Sequence, residues 1–191
     1  MKQTQKEKSP KGAKETSIER KDSNLSAKQK QSIKRLRDVY RVEHYKAYPS
    51  IPENCKVFPS AWKPTTANGL SRMITDWLRL NGHHCERIAN MGRVVDNTKT
   101  YVDCIGMTRT IGSKKWIKGS GTRGTSDLHA VLKGRAVFIE IKATATDRQS
   151  SYQKQYQMDV ERSGGHYWLV RSFGQFLELY DNFIEEVSHG S

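Results

Sequence analysis

One segment constrains the fold of this chain more than any other, the run from Asp127 to Lys142, DLHAVLKGRAVFIEIK. Two short apolar stretches, Leu128–Leu132 and Ala136–Lys142, flank the turn residues Lys133-Gly134-Arg135. That pattern predicts two antiparallel strands joined by a tight turn. Side chains alternate between the faces of a strand. Val137, Ile139 and Ile141 therefore share the face expected to meet a core, and Phe138, Glu140 and Lys142 share the other. A carboxylate and an ammonium thus lie side by side on an otherwise apolar strand, next to a strand that opens at Asp127. A surface Glu–Lys pair would account for them and would contribute little. The alternative is chemical. In phosphodiester hydrolysis two carboxylates hold Mg²⁺ through oxygen, and the ion lowers the pKa of water and neutralises phosphoryl charge. A neighbouring lysine stabilises the developing oxyanion.

The residues that follow favour the second account. A polar loop, ATATDRQS, leads to a predicted helix from about Ser150 to Ser163 that stops at Gly164-Gly165. Gln153 lies in its first turn, with Tyr156 and Gln157 on the neighbouring face. The next strand, His166–Arg171, is apolar and aromatic, so Tyr167 and Trp168 are read as core residues. Strand, strand, helix, strand describes a mixed sheet in which the crossover helix starts near the Glu140/Lys142 end.

Charge is unevenly spread. Residues 1–50 hold 14 Lys and Arg against 6 Asp and Glu, residues 51–191 hold 19 against 14, and the whole chain has a net charge of +13. Such an excess points to a polyanion, with nucleic acid ahead of an anionic membrane surface. Residues 1–24 lack the apolar content to offset chain entropy, and a disordered basic tail is expected there. From Ser26, placed to cap a helix, Ile33, Leu36, Val39 and Tyr40 form a thin apolar stripe among Lys30, Lys34, Arg37 and Arg41. This basic helix is either a solvated face docked on the domain or an arm for the DNA backbone. It and a linker holding four of the five prolines span residues 25–64, and the main domain is expected over 65–191. A helix starting near Thr65 or Thr66 places Leu70, Ile74, Trp77 and Leu78 on one face and ends at Asn81-Gly82. Residues 83–118 read as short strands and loops. The pattern from Phe173 to Val187 is again helical and suits packing on the domain or a dimer contact.

Other signals are weaker. His83-His84-Cys85 lacks a second ligand pair at zinc-site spacing and reads as a helix exit. Gly119-Ser-Gly-Thr-Arg-Gly124 lacks the ending of a Walker A loop; it reads as a flexible approach to Asp127 whose N–H groups suit a phosphate. Lys114, Lys115, Lys118 and Arg123, with Trp116 interleaved, suit a DNA-facing rim that Arg148 and Lys154 extend; a solvated loop is the plain alternative. Three cysteines without C-x-x-C spacing suit a reducing interior. No run of about 18 apolar residues predicts a membrane span, and no apolar stretch follows the basic N-terminus as in a secretory signal.

Gly124-Thr-Ser-Asp127, twelve intervening residues, Glu140-Ile-Lys142, Gln153 and Gly164-Gly165 together resemble the PD-(D/E)XK nuclease superfamily, and within it the VRR-NUC group related to Holliday junction resolvases. The likeness spans roughly residues 65 to 172. It implies an α/β, restriction-endonuclease-like mixed β-sheet flanked by helices, here with a basic N-terminal extension. It also implies a Mg²⁺-dependent endonuclease, with Mn²⁺ able to substitute, that cuts branched, flap or junction DNA to 5′-phosphate and 3′-hydroxyl ends. Asp127, Glu140 and the backbone carbonyl of Ile141 would be the metal ligands. Lys142 would be the catalytic lysine, and Gln153 would orient water or the scissile phosphate. Two positions depart from the pattern. Ser126 stands where the family usually has proline, and Asn68 stands near the place of a helix glutamate. Either one metal suffices, then, or another acid such as Asp103 contributes. The expected setting is DNA repair or recombination in the cytoplasm of a bacterial or phage-infected cell. Junction resolution would require a homodimer. The alternatives are a DNA-binding or packaging-associated protein with a nuclease fold and little catalysis, and a tether whose basic tail does all the binding.

Overall fold

The computed structural model describes residues 25–52, 55, 58, 59, 61–88, 92–117, 119, 121–144 and 146–189. The tail expected to be disordered, residues 1–24, lies outside them. The fold is mixed α/β, with four helices and a mixed four-stranded sheet among the described residues. Helix α1 (Ala27–Ala47) begins at Ser26, whose hydroxyl accepts the Gln29 N–H while the Gln29 side chain accepts the Ser26 N–H. Helix α2 (Ala67–Leu80) is capped by Thr66 and ends at Asn81, as its turn residues predict.

The sheet is built around the segment with which the sequence reading began. Strands β6 (Leu128–Leu132) and β7 (Arg135–Ile141) form an antiparallel hairpin. Its turn is shorter by one residue than expected. Lys133 and Gly134 alone form it, both at positive φ (48° and 79°), and Arg135 already pairs with Leu132. Two consecutive left-handed residues match the right-handed twist of the strands they join. Strand β1 (His84–Arg87) extends the sheet beside β6, antiparallel. Helix α3 (Ser151–Arg162) then crosses over to strand β8 (His166–Val170), which runs parallel to β7. The order is β1-β6-β7-β8.

One face of this sheet carries the main core. Val137 and Ile139 are fully buried and Ile141 nearly so. They meet Leu70, Met73, Ile74 and Trp77 of α2, and Phe173, Phe176 and Phe183 of helix α4 (Phe173–His189). Trp168 belongs to the same cluster, as its apolar strand implies. Helix α1 also joins it through Ile33 and Leu36, and the fork of Arg35 holds Asp181 of α4 at 2.5 and 2.8 Å. The solvated-face account of α1 thus covers only its outer side. The opposite face of the sheet is covered by α3. There Phe138 packs edge-on to His129 (ring centroids 4.7 Å apart) and against Tyr156.

Residues 93–117 leave the body as a two-stranded ribbon. Strand β2 (Arg93–Asp96) pairs with β5 (Lys114–Ile117), and β3 (Lys99–Val102) with β4 (Thr108–Ile111), all antiparallel. Only Val95 and Asp103 in this stretch are half-buried, and the rest are exposed. All three cysteines are unpaired, with Cys85 buried. Among the described residues no helix is long and apolar enough to cross a membrane.

Candidate active site

The β6–β7 register pairs Leu128 with Ile139. Continued one residue beyond the ladder, it sets Asp127 opposite Glu140 on the face covered by α3. Asp127 is fixed there by its own pairing, since its Oδ2 accepts the Ile141 N–H at 2.9 Å and its carbonyl accepts the Ile88 N–H. Ser126, where the resemblance leads one to expect proline, is buried and directs its hydroxyl to the Leu128 carbonyl at 3.3 Å. The approach to Asp127 is therefore held by a hydrogen bond instead of a ring.

Glu140 is 2% exposed. Its Oε1 lies 2.9 Å from Lys142 Nζ and also accepts the Gln153 side-chain amide. Its Oε2 is buried and, among the described residues, has no hydrogen-bond partner. Such an orphan costs free energy unless something absent from the chain satisfies it. Burial pushes the Glu140 carboxyl above its usual range and the charge of Asp127 adds to this, while Lys142 and Gln153 oppose it. A cation against Oε2 would both satisfy the oxygen and relieve the repulsion. Among the described residues no group of three or more His, Cys, Asp or Glu side chains is placed to hold a metal. Two carboxylates and a backbone carbonyl, the set that the resemblance implies, would suit an ion that keeps several of its waters, as Mg²⁺ does.

Gln153 reaches this cluster because of how α3 starts. Ser150 caps the helix: its hydroxyl accepts the Gln153 N–H at 3.2 Å, and its own N–H reaches Gln153 Oε1 at 2.9 Å. The same Oε1 accepts Lys142 Nζ at 3.1 Å. Gln153 therefore ties the helix terminus to both Glu140 and Lys142. In this arrangement it positions the charged pair.

The remaining predicted residues are distributed around the site. Arg123 and Trp116 line an open groove of about 620 Å³ that Gln153 also lines. Tyr152, which the sequence reading passed over, lines it too, with the Arg123 guanidinium 5.4 Å from its ring centroid. Its signal was its place in the first helical turn beside Gln153. Lys114 and Lys115 lie on β5, and Lys114 pairs with Asp96 at 3.1 Å. Arg148 and Lys154 are exposed on either side of the α3 start, and Lys118 lies outside the described residues.

Geometry also places the other residues that the sequence singles out. Asp103, named as a possible further acid, is engaged within the ribbon. It caps the ribbon tip, accepting the N–H groups of Ile105 and Met107 and pairing with Arg109 at 2.7 Å. Asn68 is also committed, its Oδ1 accepting Arg87 Nη2 at 2.7 Å. The His83-His84-Cys85 run diverges as its reading as a helix exit implies: His83 meets the Tyr180 hydroxyl at 3.0 Å, His84 is exposed, and Cys85 is buried beside Thr75. No protein-family model matches the chain, and no curated protein matches its sequence.

Proposed function

We propose that this protein is a Mg²⁺-dependent DNA endonuclease of restriction-endonuclease-like fold, akin to the PD-(D/E)XK and VRR-NUC nucleases, that hydrolyses branched, flap or junction DNA. One observation carries the reading. Asp127, Glu140, Lys142 and Gln153 meet at one sheet end, where a buried oxygen of Glu140 has no partner among the described residues. Asp127, Glu140 and the Ile141 carbonyl would hold Mg²⁺, which supplies Lewis acidity toward water and the phosphoryl oxygens. Lys142 is held by Glu140 and Gln153 before any substrate arrives, so its charge can meet developing negative charge with little reorganisation. Asp127 is anchored on the Ile141 N–H through Oδ2. Arg123, exposed at the groove, offers a cation to the phosphate backbone.

A second reading draws on Asn68, whose oxygen is engaged by Arg87 where the family likeness expects an acid. On that reading the protein binds DNA with little catalysis. A cleavage panel separates the two: single-stranded, duplex, flap and four-way-junction DNA, each with Mg²⁺, Mn²⁺ or EDTA. The nuclease reading expects metal-dependent cutting that Asp127→Asn and Lys142→Ala abolish while binding persists. Equal behaviour of wild type and both variants in the presence of metal would overturn it.

A further inference from the structure

We infer that the groove lined by Gln153 binds an unpaired nucleotide of a single strand, its base stacked on Trp116 and Tyr152. The inference rests on the nuclease reading and names the kind of DNA that reaches the site. The groove, at about 620 Å³, falls in the size range of small-molecule sites and has room for one nucleotide. Its two aromatic walls are 61% and 55% exposed, on a ribbon and a helix that come from separate parts of the chain. Both are held in place. Trp116 lies against Gly92 so closely that a Cβ there would stand 2.7 Å from its ring. The Tyr152 carbonyl lies against Gly124, where a Cβ would stand 2.3 Å away. The Arg123 guanidinium lies 5.4 Å from the Tyr152 ring centroid and donates to its hydroxyl at 3.3 Å.

The chemistry of the lining selects the occupant. Among the described residues no acidic side chain lines the groove, and Arg123 supplies positive charge. A polyanion is therefore accepted. Every base offers a π-face, and aromatic platforms bind single strands by stacking. A paired base in a duplex has both faces covered by its neighbours and cannot use these walls. The groove reaches Gln153, which also contacts Glu140 and Lys142, so a nucleotide seated there flanks the proposed scissile bond.

The test is tryptophan fluorescence of the full-length protein in EDTA, titrated with a short single strand, the same sequence as duplex, and free dAMP. The single strand should quench emission, and Trp116→Leu should remove the quench. Tyr152→Ala should weaken single-strand affinity roughly ten-fold, and Tyr152→Phe should restore it. Unchanged affinity in Tyr152→Ala would overturn the inference, as would equal quenching by the duplex, or by dAMP alone at the same concentration. Because the assay is metal-free, it is independent of cutting. Quenching without cleavage in the substrate panel would sink the nuclease reading and leave the stacking site standing.

Discussion

The Lys142 ammonium stands 2.9 Å from Glu140 Oε1, with the two side chains 11% and 3% exposed. A pair this deep loses its balance when one partner goes, because the other charge stays buried. Lys142→Ala should therefore lower cutting by roughly 10²- to 10³-fold, the scale of losing one fixed stabilising group. It should also lower stability by about 3 kcal/mol. Asp127→Asn should behave differently. Its amide oxygen can still accept the Ile141 N–H, so stability should hold while cutting falls by a similar factor. Single-turnover cleavage and urea denaturation of both variants check this contrast.

Gly124 has φ +82° and lies against the Tyr152 carbonyl. An alanine there is strained in backbone and blocked in space, so Gly124→Ala should cost about 1–2 kcal/mol from the left-handed conformation alone. It should also displace Tyr152 and weaken single-strand binding. Gly134→Ala is the control, since it also has a positive φ (79°) but meets no atom within 4 Å. It should cost similar stability and leave binding intact. Thermal midpoints and the fluorescence titration, read together, decide between strain and displacement.

Burial, with the charge of Lys133 adding to it, pushes the His83 imidazole below its usual range. The folded state thus favours neutral His83, which meets the Tyr180 hydroxyl. Above the unfolded pKa of about 6.5 both states are neutral and its contribution is complete. As pH falls below that value the unfolded chain takes up a proton first, and stability is lost until the lowered folded pKa is passed. His83→Gln should flatten this part of the profile. The measurement is the difference in thermal midpoint between wild type and variant from pH 7.5 to 5, which should shrink toward the acid end.

Residues 1–24 hold 7 Lys and Arg, whereas α1 places Ile33 and Leu36 in the core. Removing residues 1–24 should leave the thermal midpoint unchanged and make DNA binding less steeply dependent on salt, because fewer counterions are released. Leu36→Ala should instead cost about 2–5 kcal/mol, as for a fully buried leucine. Salt titrations of DNA affinity and chemical denaturation test the two halves. If the shortened chain kept the full salt slope, the tail would have no share in binding.

Several of these features were legible in the chain. The alternation of Val137, Ile139 and Ile141 marked the core face, and the caps at Ser26 and Thr66 marked helix starts. Gln153 was named through the resemblance, at a place in the first turn of a predicted helix, and it does meet Glu140 and Lys142. The described residues of 83–118 do form the short strands and loops expected, but local periodicity did not show how β2 to β5 pair into a ribbon. Its strands are short and exposed on both faces, so they lack the hydrophobic contrast that burial imposes. The commitments of Asp103 and Asn68 were equally hidden, because each depends on an arginine brought to it by strand pairing.

The sequence by itself determined what local physics controls: the tight turn at Lys133-Gly134, the faces of β7, the caps of the helices and the excess of cations. Tertiary structure decided which distant side chains meet. Glu140 is buried because α3 crosses over its face, and among the described residues its second oxygen has no partner. Trp116 and Tyr152 share a groove because a ribbon and a helix start converge, although 35 residues separate them in the chain. Such meetings depend on register and crossover, and no window of sequence shorter than the fold contains them.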